Sequence, residues 1–352
     1  MTKQYKKLDL APYHFLVPSV GDMLLLSIVL IIPQLIMLFV TKSFSSIALV
    51  IIAVLSSFIA DFLDIFSANK KYTFSWAPIY QGLIIGFFIP SGYPPVLAFC
   101  IILFILIIDK YAFGGFAQSW ANPVMVTIIV MFFLGPQYFP PFILSPSFLQ
   151  GSNAGSELFN QGILNYGSYD AGVTTFLNEK ILSHFGISIP LGYVTLIWDT
   201  GSVIPAFRFN LLTLFASLFL LTCKTIEGLI PFVFLFVYAS LVSLFGLFPY
   251  GRMVGGGDIL LALLTSGTLF ATFFLLEWHG TYPQSVIGKI IYAILAGVIA
   301  FIIIGCGASP VGILFTILVI NVLTPLIQNV ERSVYSLNIK KRIQKQTVEE
   351  IK

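Results

Sequence analysis

Long apolar runs alternate along this chain with short stretches of glycine, proline and charge, and within a run hydrophobic residues occupy every face of a helix. Such a pattern describes membrane-spanning helices, because a helix at a water interface keeps one polar face. The first run, Met23 to Val40, is interrupted only by Ser27, Pro33 and Gln34 and approaches the ~20 residues that cross a bilayer. A basic start, MTKQYKK, precedes it and no small-residue cleavage site follows it, so it reads as an uncleaved span. Counting onward predicts ten helices near 22–41, 46–66, 76–90, 95–109, 121–137, 207–223, 228–247, 258–277, 285–305 and 309–328. The expected fold class is an all-α polytopic membrane protein.

Composition agrees and removes the soluble alternatives. With 58% hydrophobic and 9% charged residues and a mean hydropathy of +0.97, a chain of 352 residues cannot be a soluble domain. If both ends of the even-numbered bundle face the cytoplasm, only Lys42, Lys180, Arg208 and Arg252 of the Lys and Arg residues fall outside. That asymmetry follows the positive-inside bias and predicts cytoplasmic termini; the expected location is a bacterial inner membrane. Cys100, Cys223 and Cys306 lie in apolar surroundings without CxxC spacing, which points to buried packing and not to a disulfide framework or cluster. His14, His184 and His279 are too scattered for a metal site, no phosphate-binding loop is present, and no nucleic-acid partner is expected.

The expected organisation is a cytoplasmic segment 1–21, a membrane repeat 22–137, an extracytoplasmic loop 138–206, a second membrane repeat 207–328 and a basic cytoplasmic tail 329–352. The loop is too rich in aromatic and aliphatic residues for a disordered spacer and too long for an idle connection. Five spans on each side of it would invert the second half relative to the first. Weak internal similarity supports that: GYP at Gly92 to Pro94 leads through an aliphatic span to GGFAQSWANPV, and TYP at Thr281 to Pro283 leads to GCGASPV. Inverted repeats with Gly/Pro-interrupted helices are how many transport proteins build a central site.

The stretch YAFGGFAQSWANPVMV, Tyr111 to Val126, is the most distinctive of these interruptions. Gly114 and Gly115 permit left-handed backbone and close approach, Asn122 before Pro123 suits a helix start, and Trp120 favours a membrane boundary. These residues describe either a re-entrant or broken element or a capped loop.

In this stretch, in APYHF, GLIIGFFIPSGYPP, GSVIPAFRFNLLTLFASLFLL, LLTSGTLFATFFLLEWHGTYP and the last apolar runs, the chain resembles RnfD, a membrane component of the Rnf electron-transport complex, and its relative NqrB of the sodium-translocating NADH:quinone reductase. KYAFGGFAQSWANPVMV is similar to that family's Lys-x-x-[Phe/Tyr]-Gly-Gly motif followed by Asn-Pro. The resemblance implies about ten transmembrane helices in two inverted five-helix repeats with broken or re-entrant helices. It also implies FMN held by a phosphoester to a threonine outside the membrane, within a complex that passes electrons coupled to Na+ or H+ movement. The partners implied are other membrane and flavin or iron–sulfur subunits, and a second flavin is compatible with the pattern. The counterpart of the family's Ser-Gly-Ala-Thr is AGVT, with Gly172 and Thr174 matching; a shifted register makes Thr175 the acceptor instead. Thr174 is the first choice of covalent FMN acceptor, in a loop expected to be accessible. Gly114, Gly115 and Asn122 are expected to contribute backbone and amide groups to a cofactor or ion path. Departures are IPAF where the family shows Gly-Glu-Thr-Ser, and EWHGTYP where it shows Thr-Asp-Pro.

Charges within apolar runs complete the candidates, since an aspartate at mid-helix costs roughly 2.5–3.5 kcal/mol on insertion scales. Asp61 and Asp64 share a helical face, and Glu277 stands near the family's aspartate. Each reads either as an ion-pathway group or as a residue of the membrane boundary, Asp61 and Asp64 being paired there near Lys70 and Lys71. An alternative function is a stand-alone transporter of a flavin or another small polar solute on the same scaffold, and a scaffold without cofactor or substrate is the third.

Overall fold

The computed structural model describes residues 18–67, 74–116, 119–140, 159, 167–186, 188–245, 257–305 and 311–350, and all regular structure among them is helical. The N-terminal APYHF, His14, Lys70 and Lys71, Arg252, and Cys306 with most of GCGASPV lie outside the described residues. Each of the ten predicted runs contains helix. The first five are α1 (Val20–Val40), α2 (Phe44–Ser67), α3 (Ala77–Phe88), α4 (Pro95–Phe113) and α5 (Pro123–Leu134). Two short helices, α6 (Asp170–Lys180) and α7 (Tyr193–Trp198), order the intervening segment. There follow α8 (Asn210–Thr222), α9 (Leu229–Phe245), α10 (Ile259–Thr265), α11 (Thr268–Phe274), α12 (Val286–Ile304) and α13 (Gly312–Glu350). The eighth run is therefore two short helices, and the basic tail continues the last helix instead of leaving it.

Among the described residues, four helices are long and apolar enough to cross a membrane: α1, α2, α12 and the Gly312–Ser336 part of α13. Shorter apolar helices α3, α5, α8 and α9 fill the bundle of this multi-pass membrane protein. Large side chains such as Ile36, Phe62, Phe104, Phe236 and Ile302 are exposed, as are Cys100 and Cys223, which corrects the expectation that these cysteines are buried, while α3 is buried all round. Only lipid accepts so apolar an exterior at low cost.

Among α1–α5, α2 lies against α3 and α4, α1 against α3, and α5 against α3 and α4. Among α8–α13, α9 lies against α10, α11 and α12, α8 against α11, and α13 against α11 and α12. The two groups meet where α1 packs on α8 and α5 on α13. Two helix ends are also alike. Past α1, the amides of Thr41, Lys42 and Ser43 donate to the carbonyls of Met37, Phe39 and Leu38; past α8, those of Cys223, Lys224 and Thr225 donate to Phe219, Leu221 and Leu220. Lys42 and Lys224 hold φ values of 54° and 55°, the two non-glycine residues with positive φ among those described.

Glycine spacing sets the tightest contact. A Cβ on Gly82 would stand 2.5 Å from Val54 Cα, and one on Gly86 2.6 Å from Val50 Cα. Two bare turns of α3 thus let its backbone rest directly on α2, the small-xxx-small solution to packing in lipid, where dispersion contacts must replace the hydrophobic effect.

Candidate functional site

Helix α11 ends inside the bundle, and its last carbonyls must find donors because lipid offers none. Three side chains from three elements supply them. Tyr80 Oη of α3 donates to Phe274 O at 2.8 Å, Asn122 Nδ2 to Leu275 O at 3.4 Å, and Tyr292 Oη of α12 to Leu276 O at 3.0 Å. Trp278 follows, buried, stacked on Tyr80 with ring centroids 5.4 Å apart and met edge-on by Phe116 at 5.2 Å. Asn122 also N-caps α5, its Oδ1 accepting from Val124 N at 2.9 Å. The sequence-predicted Asn122 is therefore brought to the segment that carries Glu277. Asn122→Ala is expected to lower stability by about 1–2 kcal/mol, and Asn122→Ser, which keeps only the cap, by less. Thermal melting of the purified protein in detergent reads both; an undiminished melting temperature in Asn122→Ser would mean that the bond to Leu275 contributes nothing.

Gly114 and Gly115 end α4 with φ values of 88° and 85°, and both amides return to Asp109 O. This is a helix stop that L-residues resist at two successive positions. The motif Tyr111 to Val126 is thus a turn between α4 and α5 whose described part ends in a buried cap, Ala117 and Gln118 lying outside the described residues.

A second break separates α10 from α11. Gly267 has φ 66°, and a Cβ there would stand 2.1 Å from the ring of Phe207. Phe207 belongs to the IPAF segment and packs edge-on against Phe88 with centroids 6.2 Å apart. Asn210 Nδ2 donates to both Leu264 O, at 2.9 Å, and Leu196 O, at 2.8 Å, so one amide satisfies the end of α10 and of α7.

Among the acidic candidates, Asp61 is ion-paired with Lys110 of α4, while Lys70 and Lys71, its expected partners at the membrane boundary, lie outside the described residues. Asp64 lies half-buried one turn further along α2. Glu277 sits in the connection between α11 and α12, where its Oε2 accepts from Glu227 N at 2.8 Å and its buried Oε1 has no hydrogen-bond partner among the described residues. Lys289 pairs with Glu227 at 2.6 Å. Asp258 N-caps α10 and accepts from Tyr193 of α7.

The segment before α8 is organised by one carboxylate. Asp170 is fully buried and accepts from Gly192 N at 2.8 Å, Thr195 N at 2.7 Å, Thr195 Oγ1 at 2.7 Å and Thr174 Oγ1 at 3.1 Å. Burial alone would raise its pKa, but these four donors outweigh it and hold the carboxyl below its ordinary range. Thr174 is thus 2% exposed with its hydroxyl engaged, which corrects the expectation of an accessible loop threonine. Thr175 is exposed, donating to Ala171 O at 2.7 Å, and a Cβ on the exposed Gly172 would meet nothing within 4 Å. Arg208 fastens the segment to the α1–α2 turn. Its Nε and Nη2 hold the two oxygens of Asp199 at 2.8 and 2.6 Å, and its Nη1 donates to Ser43 Oγ at 2.7 Å.

The sequence model of the NQR2, RnfD, RnfE family matches residues 8–336. The chain belongs to that family. A protein of Salmonella arizonae, named as the subunit designated D of the ion-translocating oxidoreductase complex, is 26% identical over 296 residues, which cover 79% of this chain and 83% of that protein. Proteins of the same name from Salmonella paratyphi A and Salmonella enteritidis are 25% identical over the same length. Within this member of the NQR2, RnfD, RnfE family, sequence reasoning missed Asp170, the Arg208 clamp and the glycine pair on α3. GLIIG carries the last of these openly, as two glycines four residues apart in an apolar run. Asp170 gave no such signal, because three of its four donors come from 22 and 25 residues downstream.

Proposed function

We propose that the protein is a membrane subunit of an ion-translocating oxidoreductase complex in a bacterial inner membrane, with cytoplasmic termini, carrying covalent FMN on α6. Family membership along nearly the whole chain, with relatives named as a subunit of such a complex, is the observation that carries it. Flavin or iron–sulfur subunits are its partners in this reading, Na+ or H+ is the coupling ion, and a second flavin is compatible with it. The bundle is read as two five-helix halves, α1–α5 and α8–α13, with broken α10–α11 counted as one. Their matching helix contacts and matching helix ends at Thr41–Ser43 and Cys223–Thr225 support this, and an odd number of spans per half inverts one relative to the other.

FMN, when bound, supplies the redox chemistry. The chain's share is to hold it. Asp170 clamps α6, so Thr175 presents its hydroxyl on a fixed helix, beside the bare surface of Gly172. Thr174, by contrast, must leave Asp170 before it can accept a phosphoester. Gly114, Gly115 and Asn122 serve in this reading by shaping the α4–α5 turn and meeting the end of α11. Glu277, with one buried oxygen unpartnered among the described residues, is the strongest candidate for an ion path, ahead of Asp64 and of Asp61, which pairs with Lys110.

The test is in-gel flavin fluorescence of the denatured protein, coexpressed with its flavin-attaching enzyme. Wild type and Thr174→Ala are expected to fluoresce and Thr175→Ala to be dark. Loss only in Thr174→Ala moves the acceptor; a dark wild type removes the covalent flavin and favours the transporter of a flavin or other small polar solute.

A further inference from the structure

A groove of about 430 Å3 runs along one flank of α6, lined by Val173 and Leu177, by Val194, Ile197 and Trp198 of α7, and by Leu211 of α8. We propose that it holds an acyl chain of a bilayer phospholipid, whose phosphate is met by Lys180.

The groove is built into the fold. Asp170 joins α6 to α7 through its bonds to Gly192 and Thr195, and Asn178 exchanges two hydrogen bonds of 2.8 Å with the backbone of Ile189. Its walls therefore keep their separation without an occupant. Those walls are aliphatic and aromatic and ask for no polar group, so the guest is apolar over the length of the groove.

Continuity with the lipid-facing surface identifies that guest. Leu211 is the second residue of α8, and Leu214, Phe215 and Leu218 follow it on the same helix face, 39–58% exposed. In a membrane protein this strip faces acyl chains, and the groove prolongs it beyond the end of the helix. Tyr169 and Trp198 at the rim are 40% and 41% exposed, amphipathic rings of the kind that settle at the membrane interface. Lys180 stands two turns after Val173, hence on the same flank of α6, and is exposed. An apolar channel ending near a cation matches an anionic amphiphile. Thr175 occupies the other flank of the buried Asp170–Thr174 face, so the groove is separate from the proposed flavin acceptor.

The experiment places the full-length protein in nanodiscs of phosphatidylethanolamine doped with a diazirine-acyl analogue, irradiates, and maps adducts by peptide mass spectrometry. Adducts are expected on 169–177 and 194–198 that survive detergent exchange, whereas those on exposed Phe232 and Phe236 of α9 wash out before irradiation. Val173→Trp, at an exposed position, is expected to reduce groove adducts roughly tenfold, equivalent to about 1.4 kcal/mol, and to leave the α9 adducts unchanged. Leu177→Phe is the second filling variant, and elution volume reports its folding. Lys180→Glu is expected to weaken labelling by the phospholipid but not by a diazirine-acyl diacylglycerol. Labelling of the groove that washes out like that of α9, or that ignores both filling variants, overturns the proposal. So does adduct formation only to a partner protein or only in flavin-free Thr175→Ala.

Discussion

Replacing Asp170 by asparagine is expected to release the segment from Gly167 to Trp198 while leaving the helical bundle folded. Four donors converge on this buried carboxylate, two of them backbone amides of Gly192 and Thr195. An asparagine keeps one oxygen but turns its amino group toward at least one of those donors, leaving N–H facing N–H. Bonds to a charged acceptor contribute ~1.5–3 kcal/mol each, so the local loss is about 3 kcal/mol or more. Hydrogen exchange should show it as faster exchange in α6 and α7 with α2 and α12 unchanged; unaltered protection at Thr195 would remove Asp170 from this role. The pH dependence has a definite sign. Because the folded carboxyl is held below its ordinary range, its contribution is complete above the unfolded aspartate value of ~3.9 and is lost as pH falls through the lower folded value. Wild type should therefore lose α6 protection at the acid end, and Asp170→Asn should lack that step.

Gly267→Ala is expected to lower the melting temperature of the whole bundle, since two costs fall on one atom. The residue holds φ 66°, where an L-side chain is strained, and its Cβ would enter the ring of Phe207 at 2.1 Å. Together these cost about 2–4 kcal/mol, the steric part being the larger. Phe207→Leu added to Gly267→Ala should recover the steric share and leave the backbone share, which makes the pair non-additive. Additive losses in detergent melting curves would mean that Gly267 and Phe207 do not share that space.

The ten apolar runs were legible because lipid imposes the strongest rule a sequence can carry. Every backbone group must be paired within its own helix, so spans appear as uninterrupted hydrophobic stretches. Asn122-Pro123 likewise announced a helix start by local chemistry alone, and the glycines at 114 and 115 announced a stop. Local rules failed where the decisive partner was distant. Run 258–277 read as one helix because Ser266 and Gly267 are permitted inside one; the structure breaks it at Gly267, φ 66°, where the ring of Phe207, sixty residues earlier, fills the space a side chain would take. Thr174 and Thr175 are adjacent and chemically identical, so sequence could not rank them by access. Only the closing of α6 onto α7 turns one inward and the other outward.

Asp61 shows the same division. The cost of a mid-helix aspartate predicted that it would need a partner or a water path, and it has a partner in Lys110 on α4, 49 residues further along the chain. From sequence alone come the membrane class, the apolar runs that hold helix, the motif at Tyr111–Val126 and, through it, the family. Tertiary structure decided which carbonyls of α11 are met by Tyr80, Asn122 and Tyr292, which threonine is reachable, and which flank of α6 becomes an apolar groove. Hydrophobicity and helix stops act over a few residues and are written in order along the chain. Pairing, burial and cavities depend on residues that meet only when separate helices pack.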